Sequence, residues 1–249
     1  MRKLIWVDVG THFGQEYSSI FGSNYNFYYL ILRRIIGGNI LNRGKPVKFQ
    51  ELRRLVRDRR RIRKQSSAFY TIFVEANSKI VYSKDVYHEA DFVFNLALTD
   101  ETHPSVSIAK LYLGNDSELS QGSSVYLAKH NVEKDSYVPA FAVSTSSFFT
   151  ELELYLTEKY THYDVLLRLN CEGVEDDVIY SAHYSFGNKL KLVCGSLKDV
   201  EGIKGHSALE KLHKFMHDRK IIFVSFNSGF DSWPRAHAAI SNLVKTEGM

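Results

Sequence analysis

The chain has 249 residues, 44% of them hydrophobic, 13% aromatic and 24% charged, enough apolar material for one large core and far from the composition of a disordered segment. Its two cysteines, Cys171 and Cys194, are too few for a disulfide framework and lack metal-ligand spacing, which predicts free thiols, no metal and a reducing, cytoplasmic setting. A net charge of +4 is too small to mark a nucleic-acid binder by itself, but much of the positive charge lies between Arg43 and Lys64.

The opening KLIWVDVG reads as a buried strand that stops at a tight turn. Asp8 interrupts its apolar run, so the start of the chain does not have the ordered basic, apolar and small-residue segments of a secretory signal. THFGQEYSSIFGS then predicts a loop and a helix start near Gly14 and Gln15, where free backbone amides attract anions or polar oxygens. Residues 24 to 64 read as two inserted helices around a Gly37-Gly38 break. The first contains Arg33 and Arg34 and falls short of the roughly 20 apolar residues of a membrane span. The second is strongly basic, with Leu52, Leu55, Val56 and Ile62 as a narrow docking stripe and its arginines facing water.

FYTIFVEAN predicts a second buried strand ending at Glu75, and ADFVFNLALTD and SIAKLYLG a third strand and a neighbour, before a polar surface loop, DSELSQGSS. SSFFTELELYLTEKYTHY predicts a helix with Phe148, Phe149, Leu152, Leu156 and Tyr160 on one face and Ser147 or Thr150 as its cap. VLLRLNCEG is a fourth buried strand, followed by the helix VEDDVIYSAHYSF. KLKLVCGSL and KIIFVSFNS are late strands separated by the helix ALEKLHKFMHDR. Strands alternating with helices imply a doubly wound α/β domain spanning residues 1 to 249, with a mainly parallel sheet covered on both faces.

Ligands of such sheets bind outside the carboxyl ends of the strands, where the strand order reverses. Three strand ends carry candidate chemistry. Asp8-Val9-Gly10-Thr11-His12-Phe13-Gly14-Gln15 has the glycines a backbone needs to approach a nucleoside closely, and has no P-loop lysine. Glu75 is an acid placed to accept two ribose hydroxyls, although about 60 residues separate it from Gly14, against the usual ~20 of a dinucleotide-binding unit. Asn170-Cys171-Glu172-Gly173-Val174-Glu175 ends the fourth strand with two acids flanking a glycine. Each segment alone also reads as an ordinary turn or charged loop.

In order, these segments resemble the FkbM-type methyltransferase family, in its D-V-G-x-x-x-G-Q turn, its E-P/A-N-like element (here VEAN), its N-x-A-L (here Asn95-Leu96-Ala97-Leu98) and its D-x-E-G-x-E. The resemblance implies a class I, Rossmann-like methyltransferase fold that transfers a methyl group from S-adenosyl-L-methionine to a hydroxyl, most often of a sugar or glycan. Carried over, Gly10 and Gly14 approach the methionine part, Asp8 orients the turn or the amine, and Thr11 and Gln15 are further cofactor contacts. Glu75 holds the ribose, Ala76 and Asn77 are further cofactor contacts, and Asn95 to Leu98, with Asn95, Ala97 and Leu98 as the contacts, flank the adenine.

The chain departs from the family at the first acid of the last motif, which is Asn170. An amide cannot take a proton, so Glu172 becomes the candidate base, Asn170 a positioning group and His12 a second base candidate. Ser123, Ser124, Lys129 and Arg168 are candidate acceptor contacts. The alternative functions are an RNA methyltransferase that uses the basic insertion, and a cofactor- or carbohydrate-binding protein that has lost turnover through Asn170. The insertion itself reads as a solvated helix face, a contact for a phosphate-bearing acceptor, a peripheral membrane contact, or a lid over the acceptor, the last being favoured.

Overall fold

The computed structural model describes residues 2–36, 47–114, 119, 122–226 and 230–246. Gly37-Gly38 and most of the polar DSELSQGSS loop lie outside the described residues. In chain order the strands are β1 (Lys3–Val9), β2 (Phe69–Val74), β3 (Phe92–Phe94), β4 (Ala97–Thr99), β5 (Val106–Gly114), β6 (Val132–Ser144), β7 (Tyr163–Leu169), β8 (Leu190–Gly195) and β9 (Phe223–Ser225). The helices are α1 (Gln15–Ile20), α2 (Asn24–Ile35), α3 (Phe49–Lys64), α4 (Ser78–Ser83), α5 (Thr145–Lys159), α6 (Glu175–Phe186), α7 (Lys198–Lys204), α8 (His206–Asp218) and α9 (Trp233–Thr246).

Six strands form a parallel sheet in the order β3-β2-β1-β7-β8-β9. Such a sheet needs apolar side chains on both faces, and the period of two along each strand supplies them. Ile5, Val7 and Val9 of β1 pack with Val165, Leu167 and Leu169 of β7 under α5, α6 and α8, through Phe149, Leu152, Val178, Ile179 and Leu212. Leu4 and Trp6 pack the other way with Leu166 and Leu192, beneath α1, α2, α3 and α9 through Ile20, Phe27, Leu55, Ile62 and Ile240. The chain winds outward from β1 to β3 and, after an excursion, outward again from β7 to β9. The order therefore reverses between β1 and β7.

Residues 97–144 depart from the expected pattern. The predicted third strand divides in two: Phe92–Phe94 pairs with β2, whereas Ala97–Thr99 pairs with β6 in a second sheet of order β4-β6-β5. Asn95 stands at the division, its side-chain amide donating to the carbonyls of Glu75 (2.8 Å) and Ala76 (3.4 Å), which turns the chain off the sheet edge. The neighbour β5 runs antiparallel to β6, a 13-residue strand that the sequence reading left unassigned. The α5 cap also differs from the expectation. Ser144 fills it, its hydroxyl accepting from the Ser147 amide, because the helix begins before the Ser147 and Thr150 proposed for that role.

The inserted helices dock as expected through Leu55 and Ile62, with Leu52 and Val56 half-buried. One arginine does not face water. Arg59 is buried, donates to the carbonyls of Ser19 (2.9 Å) and Gly22 (2.5 Å) and to Asn24 Oδ1 (2.8 Å), and lies 4.2 Å over the Phe27 ring. It clamps α3 to the connection between α1 and α2, and those four contacts recover what the guanidinium loses on leaving water. Neither cysteine is in a disulfide. Among the described residues, no helix is long and apolar enough to cross a membrane.

Candidate functional site

Two clefts open where the strand order reverses, and His12, Asn170 and Glu172 line both of them. The first, of about 490 Å³, runs between the carboxyl ends of β1, β2 and β7 and the second sheet. Its walls are largely apolar, with Val9, Val74, Leu96, Leu98, Leu111 and Val125. The second, of about 800 Å³, is lined mainly by polar groups, among them Gln15, Lys129, His130, Asn131 and Asp199.

The turn after β1 is shaped by the backbone. Gly10 (φ +69°) packs so tightly against β7 that a Cβ there would stand 2.2 Å from the Asn170 carbonyl oxygen. Next to it, His12 also adopts a left-handed conformation (φ +52°), an uncommon one for a residue with a side chain. The Glu75 carboxylate holds it there. One oxygen accepts from the His12 amide (2.9 Å) and the other from the Asn77 amide (2.9 Å). Glu75 is only 5% exposed, yet each oxygen keeps a second lone pair and the residue lines the smaller cleft.

Behind the turn lies a charged triad. Asp8 and Arg168 are opposite one another in the β1–β7 register, so their side chains emerge on the same face. The Arg168 guanidinium bonds Asp8 Oδ1 (2.8 Å), Glu16 Oε2 (2.9 Å) and the Gly10 carbonyl (2.7 Å), and all three side chains are almost completely buried. Burial pushes the Asp8 carboxyl above its ordinary value, against the pull of Arg168. Asp8 reaches neither cleft, and Arg168 touches only the wall of the larger one. Of the two roles foreseen for Asp8, its contacts are those of orienting the glycine turn. Arg168 is placed as the clamp that holds the turn.

The turn after β7 brings the chemistry of the two clefts together. Glu172 adopts φ +62°. Its Oε2 is ion-paired with the buried Lys129, which also bonds the Gly122 carbonyl (3.0 Å). Its Oε1 lies 3.4 Å from Asn170 Nδ2 and 3.6 Å from His12 Nε2. His12 Nε2 is 3.0 Å from the Asn170 carbonyl, whereas the buried His12 Nδ1, 4.0 Å from Glu75 Oε2, has no hydrogen-bond partner among the described residues. Ser124 donates to the Glu172 carbonyl (2.6 Å), tying the loop after β5 to this turn.

Glu175 secures the same turn from below, accepting from the amides of Glu172 (2.7 Å) and Gly173 (2.8 Å). Complete burial pushes its carboxyl up to about 7 from an ordinary 4.5. Between those values the native state binds more proton than the unfolded chain, so this group's contribution falls as pH rises through the window and is constant above it. Replacing it as Glu175→Gln is expected to remove about 3 kcal/mol of pH dependence from the unfolding free energy between pH 4.5 and 7. Chemical denaturation of both proteins across that window checks this.

The fold places the other predicted residues as follows. Ala76, Asn77, Ala97, Leu98, Ser123 and Ser124 line the smaller cleft, and Thr11, Gln15 and Lys129 the larger. Asn95 and Gly14 line neither: Asn95 turns the chain after β3, and a Cβ on Gly14 would stand 2.7 Å from a Val86 methyl. No described residue of 24–36 or 47–64 lines either cleft, so the described part of the insertion does not form the lid expected of it. The sequence reading missed Asp199, 3.9 Å from Lys129, whose carboxyl is raised by burial and by Glu172. It follows the end of β8, so the strand-end rule that singled out Glu75 applies to it equally. Among the described residues, no group of three or more His, Cys, Asp or Glu is arranged to hold a metal ion. Comparison of the chain with protein-family models, curated proteins and solved structures finds no match.

Proposed function

We propose that the protein is an S-adenosyl-L-methionine-dependent O-methyltransferase of class I architecture acting on a hydroxyl of a sugar or glycan. The observation that carries the reading is the convergence of the Gly10 turn and the Glu75 carboxylate on one apolar-walled cleft at the strand-order reversal. The residues present fit the cofactor. Glu75 offers free lone pairs to a pair of ribose hydroxyls, the walls formed by Ile80, Leu96, Leu98 and Val125 suit a purine, and His12 Nδ1 is a buried polar atom in want of a partner. When bound, this cofactor supplies an electrophilic methyl group to an acceptor oxygen.

Glu172 is the proton acceptor in this reading. Lys129 occupies Oε2, so Oε1, on the side of Asn170 and His12, is the oxygen left to take the acceptor's proton. Asn170, standing where the family pattern has an acid, donates toward that oxygen and orients it. The larger cleft, polar and continuous with the smaller one through His12, Asn170 and Glu172, suits a polyhydroxyl acceptor.

Titration calorimetry with S-adenosyl-L-methionine and S-adenosylhomocysteine tests the reading. Saturable binding is expected for both ligands, weakened at least a hundredfold in Glu75→Ala, since truncation removes charged hydrogen bonds worth roughly 1.5–3 kcal/mol each. Failure of the well-folded wild type to bind either compound would sink the assignment.

A further inference from the structure

The two inserted helices expose stripes of opposite character. On α2 and its C-terminal cap, Tyr25, Tyr28, Tyr29, Leu32 and Ile36 follow one another at helical spacing and are 79%, 50%, 55%, 56% and 39% exposed, while Phe27 and Ile31 bury the other face. On α3, Arg53, Arg57, Arg60 and Lys64 also recur at helical spacing, and all are exposed. The two helices share a groove of about 750 Å³, where Tyr28 from α2 faces Arg60 and Lys64 from α3 across its lining. Phe49, 71% exposed and with the Arg53 guanidinium 5.8 Å above its ring, extends the aromatic surface at the start of α3.

Charge is segregated onto the same part of the chain. Residues 24–65 hold thirteen Lys and Arg against two Asp and Glu, a balance of +11, so the rest of a chain of net charge +4 carries −7. Of the two acids, Asp58 is buried and paired with Arg57 and Arg61, and Glu51 is half-buried. The Arg59 clamp fixes the two helices to each other, so both stripes are ordered before any partner arrives.

We infer that the α2–α3 face docks on an anionic phospholipid bilayer. The tyrosines, Leu32 and Ile36 enter the boundary between headgroups and acyl chains while the arginine stripe pairs with lipid phosphates. Leu32 and Ile36 separate this occupant from a nucleic acid. An aliphatic side chain gains nothing from a phosphate backbone and is stabilised by acyl chains. Docking uses no residue that lines the two clefts, so it stands or falls independently of the cofactor reading.

Co-sedimentation of the full chain with phosphatidylcholine vesicles, with or without about a third phosphatidylserine, tests the inference. Binding is expected to the anionic vesicles alone. Replacing Arg53, Arg57, Arg60 and Lys64 together by Gln is expected to lose roughly fivefold per charge, on the order of several hundredfold in all. The pair Tyr25→Ser and Leu32→Ser is expected to lose the binding that persists at raised salt. Both sets of positions are exposed, and far-UV circular dichroism verifies that each variant is folded. No binding to anionic vesicles, equal binding to neutral ones, or binding unchanged in either variant would overturn the proposal. Tight capture of a single-stranded RNA homopolymer by protein that ignores vesicles would do so in favour of a nucleic-acid partner.

Discussion

Arg168→Met is expected to lower the unfolding free energy by about 3–5 kcal/mol at neutral pH, the cost of breaking a buried ion pair by removing one partner. The size follows from the arrangement: one guanidinium serves Asp8 and Glu16 at 2.8 and 2.9 Å, and all three groups are almost fully buried. Methionine fills much of the same volume, so the loss reports charge rather than a cavity. Without the cation, burial acts unopposed on the Asp8 carboxyl, which holds its proton more strongly in the native state than in the unfolded chain. That binding of extra protons stabilises the variant as pH falls, so its deficit against wild type should shrink from pH 7 toward pH 4. Urea denaturation at the two pH values measures this, and a deficit that is small or independent of pH would show that the triad is not electrostatically coupled to folding. Asp8→Asn should cost less than Arg168→Met, because Glu16 still accompanies the arginine.

Gly10→Ala is expected to cost about 3–5 kcal/mol and to eliminate ligand binding in the smaller cleft. Two costs combine: the left-handed conformation at φ +69°, and a methyl group 2.2 Å from the Asn170 oxygen and 2.7 Å from its carbonyl carbon. The obstacle is backbone, so no side chain can swing away. Relief requires the ends of β1 and β7 to separate, which would weaken the hydrogen bond from the Asn170 amide to the Val9 carbonyl (3.0 Å) and move His12 away from Glu172. Gly187→Ala is a control for backbone strain without a close contact: nothing lies within 4 Å of its Cβ position, and its backbone (φ +51°, ψ −125°) is more hostile to a side chain than the left-handed helical region. Thermal unfolding of both variants compares the two, and a Gly10→Ala loss well below that of Gly187→Ala would show that the close approach at Gly10 matters little.

The parts of the site legible in the sequence were those in which one short segment carries its own geometry. The Gly10 turn, Glu75 at a strand end and the Asn170–Glu175 segment are each read from a strand that stops, and a parallel sheet gathers strand ends on one edge. Asp199 was missed although it follows the same rule. The second sheet was not legible because its edge β4 is three residues long and its longest strand, β6, interrupts a weak Val138, Ala140, Ala142 alternation with Pro139. Small apolar residues give little periodic contrast, and only pairing with β4 and β5 makes this segment the centre of a sheet whose other strands line the cleft through Ala97, Leu98 and Leu111.

The sequence by itself determined the alternation of the central strands with helices, the buried stripes of α3 and α5, and the basic character of the segment from Arg43 to Lys64, because periodicity and composition are local properties. Only the tertiary structure decided what Arg168 and Glu172 do. Arg168 reads as a candidate acceptor contact, but the β1–β7 register sets it opposite Asp8, and its buried guanidinium is engaged by Asp8, Glu16 and the Gly10 carbonyl. Glu172 reads as the candidate base, and the chain brings Lys129 onto one of its oxygens and leaves the other beside His12 and Asn170. The placement of α3 was settled in the same way. Its stripe of Leu55 and Ile62 announced that the helix docks, but the stripe does not name the surface it docks on, and contacts with α9 and the Arg59 clamp put it outside both clefts. Pairings between residues distant in sequence depend on register and burial, which no single segment encodes.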